Sequence, residues 1–408
     1  MKILISNWVY NWGSTGFILR DLKTGLIEHG WQVVTVCGVN KGEEDNSVFC
    51  ISTPHEMTLY RKLVRLGWPK FSGSSMGTRR FIKIIEKERP DIVHLHLLHS
   101  GSVNLYELLH YLGKNHIKTV VTHHAELYYT GGCSYSYECM RFMKAECYSC
   151  PQKKWATGAY IFGRPHLLWK KMKYAFDSFS SQDLYFTAVS PWVKQRMSLS
   201  PITNGFSCDV VMNGIDVSIF RPRINNENIY GRLGINNAGY ILHVTAMFDP
   251  LDKENIKGGC YVIEMARRMP NVVFVVVAAG CRNCDDLPTN VYVWGKAKNQ
   301  SELSELYSQA KVTLLTSKRE TFSMICAESL CCGTPVVGFK AGGPESIALS
   351  QYSTFVDNPN IGALQTALND MLQKEINSIE IAKQAQSEYS LDSMTKGYIS
   401  VYQKLISE

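Results

Sequence analysis

No apolar run in this 408-residue chain approaches the length of a bilayer-spanning helix, so no helical membrane span is expected. The opening Met1-Lys-Ile-Leu-Ile-Ser6 is too short for a secretory signal and reads as a first strand. No internal repeat is visible. Thirteen cysteines, an odd number without such a signal, argue for reduced thiols in the cytosol rather than a disulfide framework. Charged residues are only 19% of the chain and hydrophobic ones 45%, ordinary values for a globular protein with a full core. The length suggests two or three domains.

Acidic charge is scarce in the first half. Residues 1–200 hold 25 Lys and Arg against 15 Asp and Glu, while the remainder holds 18 against 21. The first half is therefore expected to meet something anionic. Its basic residues are interleaved with large apolar ones in Arg61–Lys70 and in Leu167–Tyr174. That mixture fits an anionic membrane face better than nucleic acid. The plain alternative is a solvated surface over buried aromatics.

Strand and helix patterns alternate along residues 1–126, as in a doubly wound parallel sheet. Residues 127–180 break the rhythm with Cys, Tyr, Gly and basic residues and read as an insertion. A second alternating series restarts at Tyr240 and includes a buried strand near Val312–Thr316. The expected fold class is α/β with two Rossmann-like domains.

Several motifs carry chemistry. Glu320 and Glu328 lie eight residues apart, the first in a strand-to-helix loop and the second about two turns into the helix. A loop at the carboxyl end of a parallel strand, followed by free helix amides, suits a phosphate or a polar sugar face. Asn11-Trp-Gly-Ser-Thr-Gly16 follows the first strand but lacks the third glycine of a dinucleotide fingerprint. Pro90–His96 and Val120–Glu126 read as strands ending in polar residues. Asn255-Ile-Lys-Gly-Gly259 opens a helix with a cation at its start. Cys133, Cys139, Cys147 and Cys150 fall within eighteen residues and end in a Cys-x-x-Cys knuckle, enough to close a tetrahedral structural zinc site. Free or redox thiols and an iron–sulfur cluster are the alternatives. Cys281 and Cys284 have no second pair nearby and read as two free thiols.

The stretch Ser317–Gly338 resembles the signature of retaining nucleotide-sugar glycosyltransferases of the GT-B fold, family 4, and the motifs from Gly13 to Glu345 follow that family's order. The Cys-rich stretch resembles an insertion found in a bacterial polysaccharide branch of the family. The resemblance implies two Rossmann-like domains facing a cleft. The acceptor-side domain is expected over 1–215, the nucleotide-sugar domain over 216–390, and a C-terminal helix, 391–408, crossing back onto the first. It implies transfer of a sugar from a nucleoside diphosphate, UDP by default, to a lipid-linked glycan. The enzyme would be peripheral at the cytoplasmic membrane face, with no metal or cofactor needed for catalysis and no nucleic acid partner.

The family's catalytic positions fall on Glu320, His124 and Lys257. Its donor-binding positions fall on Gly13, Ser14, Gly16, Lys257, Gly258, Tyr292, Thr321, Phe322, Ser323, Met324 and Glu328. Thr15, His123 and Glu126 are expected on the acceptor side. Three departures stand out. Ser323 replaces a usual glycine, Ala125 replaces an Asp, and no Arg follows the strand ending near Ala246. A nucleotide-sugar 2-epimerase, a phosphorylase with a cofactor lysine and a zinc-dependent nucleic-acid binder are the competing readings.

Overall fold

The computed structural model describes residues 1–407 except 42–44, 46, 145–146, 224–228, 232–233 and 235–238. The chain forms two compact units. One is Met1–Gly214 with the chain from Met394 onward; the other is Ile215–Ser393.

The first unit holds seven strands: β1 (Lys2–Tyr10), β2 (Gln32–Asn40), β3 (Val48–Cys50), β4 (Ile92–Leu95), β5 (Thr119–His123), β6 (Leu184–Ala188) and β7 (Ser207–Val210). They pair in parallel in the order β3-β2-β1-β4-β5-β6-β7. β4, β5 and β6 are buried throughout, as strands covered on both faces must be. Helix Gly13–Glu28 links β1 to β2 and turns Ile18, Leu19, Leu22 and Leu26 inward.

The second unit holds β8 (Ile241–Phe248), β9 (Phe274–Cys281), β10 (Val291–Gly295), β11 (Val312–Leu315), β12 (Val336–Phe339) and β13 (Ser353–Val356). This sheet is also parallel, in the order β10-β9-β8-β11-β12-β13. Its core joins Ile241, Val276, Leu314 and Val337 to Val262, Leu364 and Leu368 from the covering helices. In both sheets the strand order reverses beside the first strand of the unit, at β1/β4 and at β8/β11. Open α/β sheets bind ligands outside the carboxyl ends of strands at such a switch point.

Helix Leu391–Ser407 begins in the second unit and passes into the first at Met394. Within the first unit its Tyr398 and Tyr402 are fully buried, and Lys404 Nζ pairs with Asp209 at 2.6 Å.

Three expectations are corrected. The stretch 127–180 is not all insertion. Helix Pro165–Phe176 belongs to the β5-to-β6 crossover and buries Leu168, Trp169 and Met172 in the core, while Lys170 and Tyr174 stay exposed. Before it, among the described residues, lie short turns of helix, Leu127–Thr130, Arg141–Lys144, Cys147–Ser149 and Lys153–Thr157. Helix Pro54–Leu66, which the alternating pattern did not reveal, is fixed by a capping box in which Thr53 and Glu56 serve each other's backbone. Finally, Cys281 and Cys284 are joined as a disulfide rather than standing as two free thiols.

Candidate active site

Lys257 and Glu320 come from the loops that follow β8 and β11, the two strands of the switch point in the second unit. Asn255 Oδ1 accepts from the Lys257 amide at 2.8 Å, and Thr316 Oγ1 donates to the Lys257 carbonyl at 2.9 Å. Gly258 takes φ +67°, and a Cβ there would stand 2.2 Å from the Thr316 carbonyl oxygen. Only glycine lets the chain pass this close to the end of β11. The next helix, Gly259–Arg268, starts with no side-chain cap, so its first amides are not consumed by one. Glu320 is pinned through its backbone: its amide donates to Ala341 at 3.0 Å, and its carbonyl accepts from Gly343 at 2.8 Å. Lys257 Nζ reaches Glu320 Oε1 at 2.6 Å in a partly buried ion pair.

Beyond Glu320 the chain turns into helix Met324–Cys331. Ser323 adopts φ +88°, a conformation that glycine takes without strain, and its Oγ accepts from the Cys326 amide at 3.3 Å. Glu328 is partly exposed at residue level, yet burial around its carboxyl pushes the pKa up to about 7 against a single hydrogen bond from Tyr307, 3.1 Å away. Thr321 and Met324 are half-buried. Phe322 is corrected as a donor contact: its ring is buried and packs edge-on to Tyr389, leaving only its main chain for a ligand. Tyr292 is half-buried on the edge strand β10, whose end turns at Gly295 with φ +84°.

In the first unit the glycine loop opens helix Gly13–Glu28 directly. Gly13 has φ +65°, and Gly13 and Ser14 are exposed. No side chain caps this helix start. Asn7 braces the loop, donating to Val9 O at 2.9 Å and to Thr15 Oγ1 at 3.2 Å. Gly16 is buried, and a Cβ there would stand 3.3 Å from Val9. Thr15 is therefore part of a bracing contact as well as an expected acceptor-side residue.

His124, just past β5, is linked by Nε2 to His96 Nδ1 at 2.8 Å, with the two rings stacked. His94 lies beneath, its Nδ1 2.8 Å from the Tyr402 hydroxyl and its Nε2 2.6 Å from Thr122 Oγ1. Burial lowers the pKa of all three rings, His124 to about 4, so they are neutral at physiological pH. The sequence had flagged Pro90–His96 as a polar strand end, but only the fold shows that His94 and His96 underlie His124.

Two acceptor-side expectations are corrected. His123 is fully buried among Tyr128, Tyr129 and Phe186, because β5 is covered on both faces. Glu126 is also fully buried. It accepts from the Ser136 amide at 2.9 Å and from Arg196 Nε at 3.2 Å, and so anchors the stretch that carries the cysteines. Arg319, buried next to Glu320 in the chain, is a cation that the sequence reading passed over.

Cys133, Cys139, Cys147 and Cys150 are close enough for charge on one to act on the others. Burial first, then the neighbouring thiols, pushes Cys133 up to about 12 and Cys147 to about 11. Lys70 opposes this at Cys133 and donates to the Gly132 carbonyl at 2.9 Å. Among the described residues, no three His, Cys, Asp or Glu side chains are disposed as a metal-binding set, so the four sulfurs do not stand as a closed tetrahedron.

Residues 16–219, half of the chain, match the profile described as Glycosyltransferase Family 4, and residues 284–388 match Glycosyl transferases group 1. A D-inositol 3-phosphate glycosyltransferase of Mycobacterium leprae (strain Br4923) is 24% identical over 49% of this chain and 50% of its own length. The namesake of Segniliparus rotundus is 28% identical over 37% of this chain and 36% of its own. The chain thus spans half or less of the length of these curated relatives. Sucrose-phosphate synthase from Thermosynechococcus elongatus superimposes with TM-score 0.67 at 14% identity, covering 100% of this chain and 99% of its own. Anabaena Alr3699/HepE in complex with UDP gives 0.65 at 13%, covering 99% and 100%. At these identities the likeness establishes the fold, two Rossmann-like α/β domains of the GT-B type.

Proposed function

The chain belongs to glycosyltransferase family 4, and from that premise we propose that it moves a sugar, with retention at the anomeric carbon, from a nucleoside diphosphate donor to a lipid-linked saccharide in bacterial surface polysaccharide synthesis. The observation that carries the reading is the Lys257–Glu320 pair, 2.6 Å apart at the switch point of the second sheet. Each group now neutralises the other. A bound donor brings a sugar that gains positive charge at the anomeric carbon as its bond to phosphate lengthens, and a diphosphate that gains negative charge. Glu320 stabilises the first and Lys257 the second. The cation and anion of the pair thereby find stronger partners in the transition state than in the ground state. In front-face attack the acceptor hydroxyl enters on the side the phosphate leaves, and a phosphate oxygen takes its proton.

Neutral His124 hydrogen-bonds the sugar, and the Glu328 carboxylate accepts from ribose hydroxyls. A uridine base is favoured, because a structural neighbour binds UDP. A zinc held by Cys133, Cys139, Cys147 and Cys150 would be structural. It would need the loop to draw the sulfurs in and the thiols to give up their protons. Metal analysis of the purified protein, alongside a variant with Cys147→Ser and Cys150→Ser, checks that part separately.

The test of transfer is a radiolabelled-sugar assay with purified enzyme and membrane lipid extract. Glu320→Gln and Lys257→Ala should each cut turnover by about 100-fold or more while nucleotide-induced thermal shifts persist. Full activity in either variant rejects the assignment.

A further inference from the structure

Helix Pro54–Leu66 carries two apolar stripes. Met57, Tyr60 and Val64 face the core. Leu59, Leu63 and Leu66 recur at helical spacing on a second face and are exposed, and Trp68 extends that face past the end of the helix. A stripe of this kind costs solubility unless something covers it.

A second segment adds to it. Trp155 is 81% exposed and Phe162 63% exposed, with Tyr160 and Ile161 exposed beside them. The two segments are neighbours in space. The Tyr160 amide donates to the Arg65 carbonyl at 2.9 Å, and a Cβ on Gly67 would stand 2.6 Å from the Phe162 Cβ. Lys154 Nζ lies 4.6 Å from the centre of the Tyr160 ring. Arg61, Lys62, Arg65, Lys153 and Arg164 are exposed around these aromatics. From Met57 to Ile85 and from Cys147 to Phe176 the chain contains no Asp or Glu.

We propose that this face docks the first unit onto an anionic lipid bilayer, with Trp155, Tyr160, Ile161 and Phe162 entering the headgroup region beside the Leu59–Leu66 stripe. Charge of one sign selects anionic headgroups, and indole and phenol rings favour the interface between water and acyl chains. Basic side chains with long stems lie along the apolar stripe and keep their charges in water. The inference rests on the expectation of a membrane-borne acceptor but not on the transfer chemistry.

The experiment is vesicle co-sedimentation of the full chain, with phosphatidylglycerol-containing and pure phosphatidylcholine vesicles. The wild type should sediment with the anionic vesicles and far less with neutral ones, and moderate salt should weaken the binding. Trp155→Ala with Phe162→Ala should lower the anionic partition by about tenfold or more, and Lys62→Ala with Arg65→Ala by a similar factor. All four side chains are exposed, so melting temperature and UDP-induced thermal shift should stay unchanged. The latter separates failure of this proposal from failure of the transfer reading. Equal partition of the variants, or no binding to anionic vesicles, overturns the proposal. So does a wild-type dimer in sedimentation velocity that the aromatic variants dissolve, which would make the face an interface between copies. Salt-sensitive retention of single-stranded nucleic acid in place of vesicle binding would overturn it equally.

Discussion

Ser323 holds a backbone conformation that costs a residue with a Cβ about 1–3 kcal/mol, at φ +88° in the loop between Glu320 and its helix. Its hydroxyl caps Cys326, but glycine gives up only a few tenths of a kcal/mol at such a position. Ser323→Gly should therefore stabilise the second unit by about 1 kcal/mol, a rise in Tm of ~2–4 °C by calorimetry. No rise would mean that the serine is held by contacts stronger than its cap. Glu328 makes a different case. Its folded pKa, about 7, lies above the ordinary 4.5, so its contribution to stability is full below about 4.5 and is lost as pH rises through 7. Glu328→Gln should be more stable than wild type at pH 8, with the advantage shrinking toward pH 5, and it should bind UDP more weakly because the amide is a poorer acceptor for ribose hydroxyls. A stability difference independent of pH would count against a carboxyl buried in this way.

At the scale of elements, much was legible because buried parallel strands are written as short apolar runs. The strand read near Val312–Thr316 is β11, which ends at Leu315. What hid from the sequence hid for physical reasons. Helix Pro54–Leu66 carries apolar residues on its wet face as well as its dry one, so no single apolar stripe marks it. Helix Pro165–Phe176 starts at a proline inside a Cys- and Tyr-rich stretch and passed for insertion. Ser323 was visible as a substitution, whereas its positive φ was not. The pairing of Lys257 with Glu320 needs two loops 63 positions apart to meet at a switch point, which only the strand order reveals. The C-terminal helix and its return to the first domain were expected from the resemblance, but its contact with His94 was not. Tyr402 donates to or accepts from His94 across 308 residues of chain. Tyr402→Phe should leave a buried ring nitrogen without its partner and cost about 1–3 kcal/mol in urea denaturation. It should also speed amide exchange along Met394–Ser407. Unchanged stability would show that water replaces the hydroxyl.

Across the whole molecule, net charge divides between the units. The first unit carries the basic excess and buries four histidines, 94, 96, 123 and 124, each with its pKa lowered by burial. A depressed folded pKa gives stability that is present above the unfolded value, about 6.5, and is lost as pH falls toward the folded one. Each such ring adds a slope of up to ~1.4 kcal/mol per pH unit in that window. The first unit should therefore weaken on mild acidification, the opposite sense to Glu328 in the second. His123 isolates the effect. Neither of its ring nitrogens finds a hydrogen-bond partner among the described residues, its neighbours are aromatic, and its pKa is pushed down to about 3. His123→Leu removes the titration and keeps an apolar group of similar size in place. The difference in Tm between variant and wild type should then grow in favour of the variant from pH 7.5 to pH 5.5, because only the wild type pays to keep a ring neutral as protons become abundant. Transfer activity at pH 7.5 should survive, since the ring lies inside the aromatic cluster. A difference in Tm that does not change with pH, together with loss of transfer, would return His123 to the surface and to the acceptor.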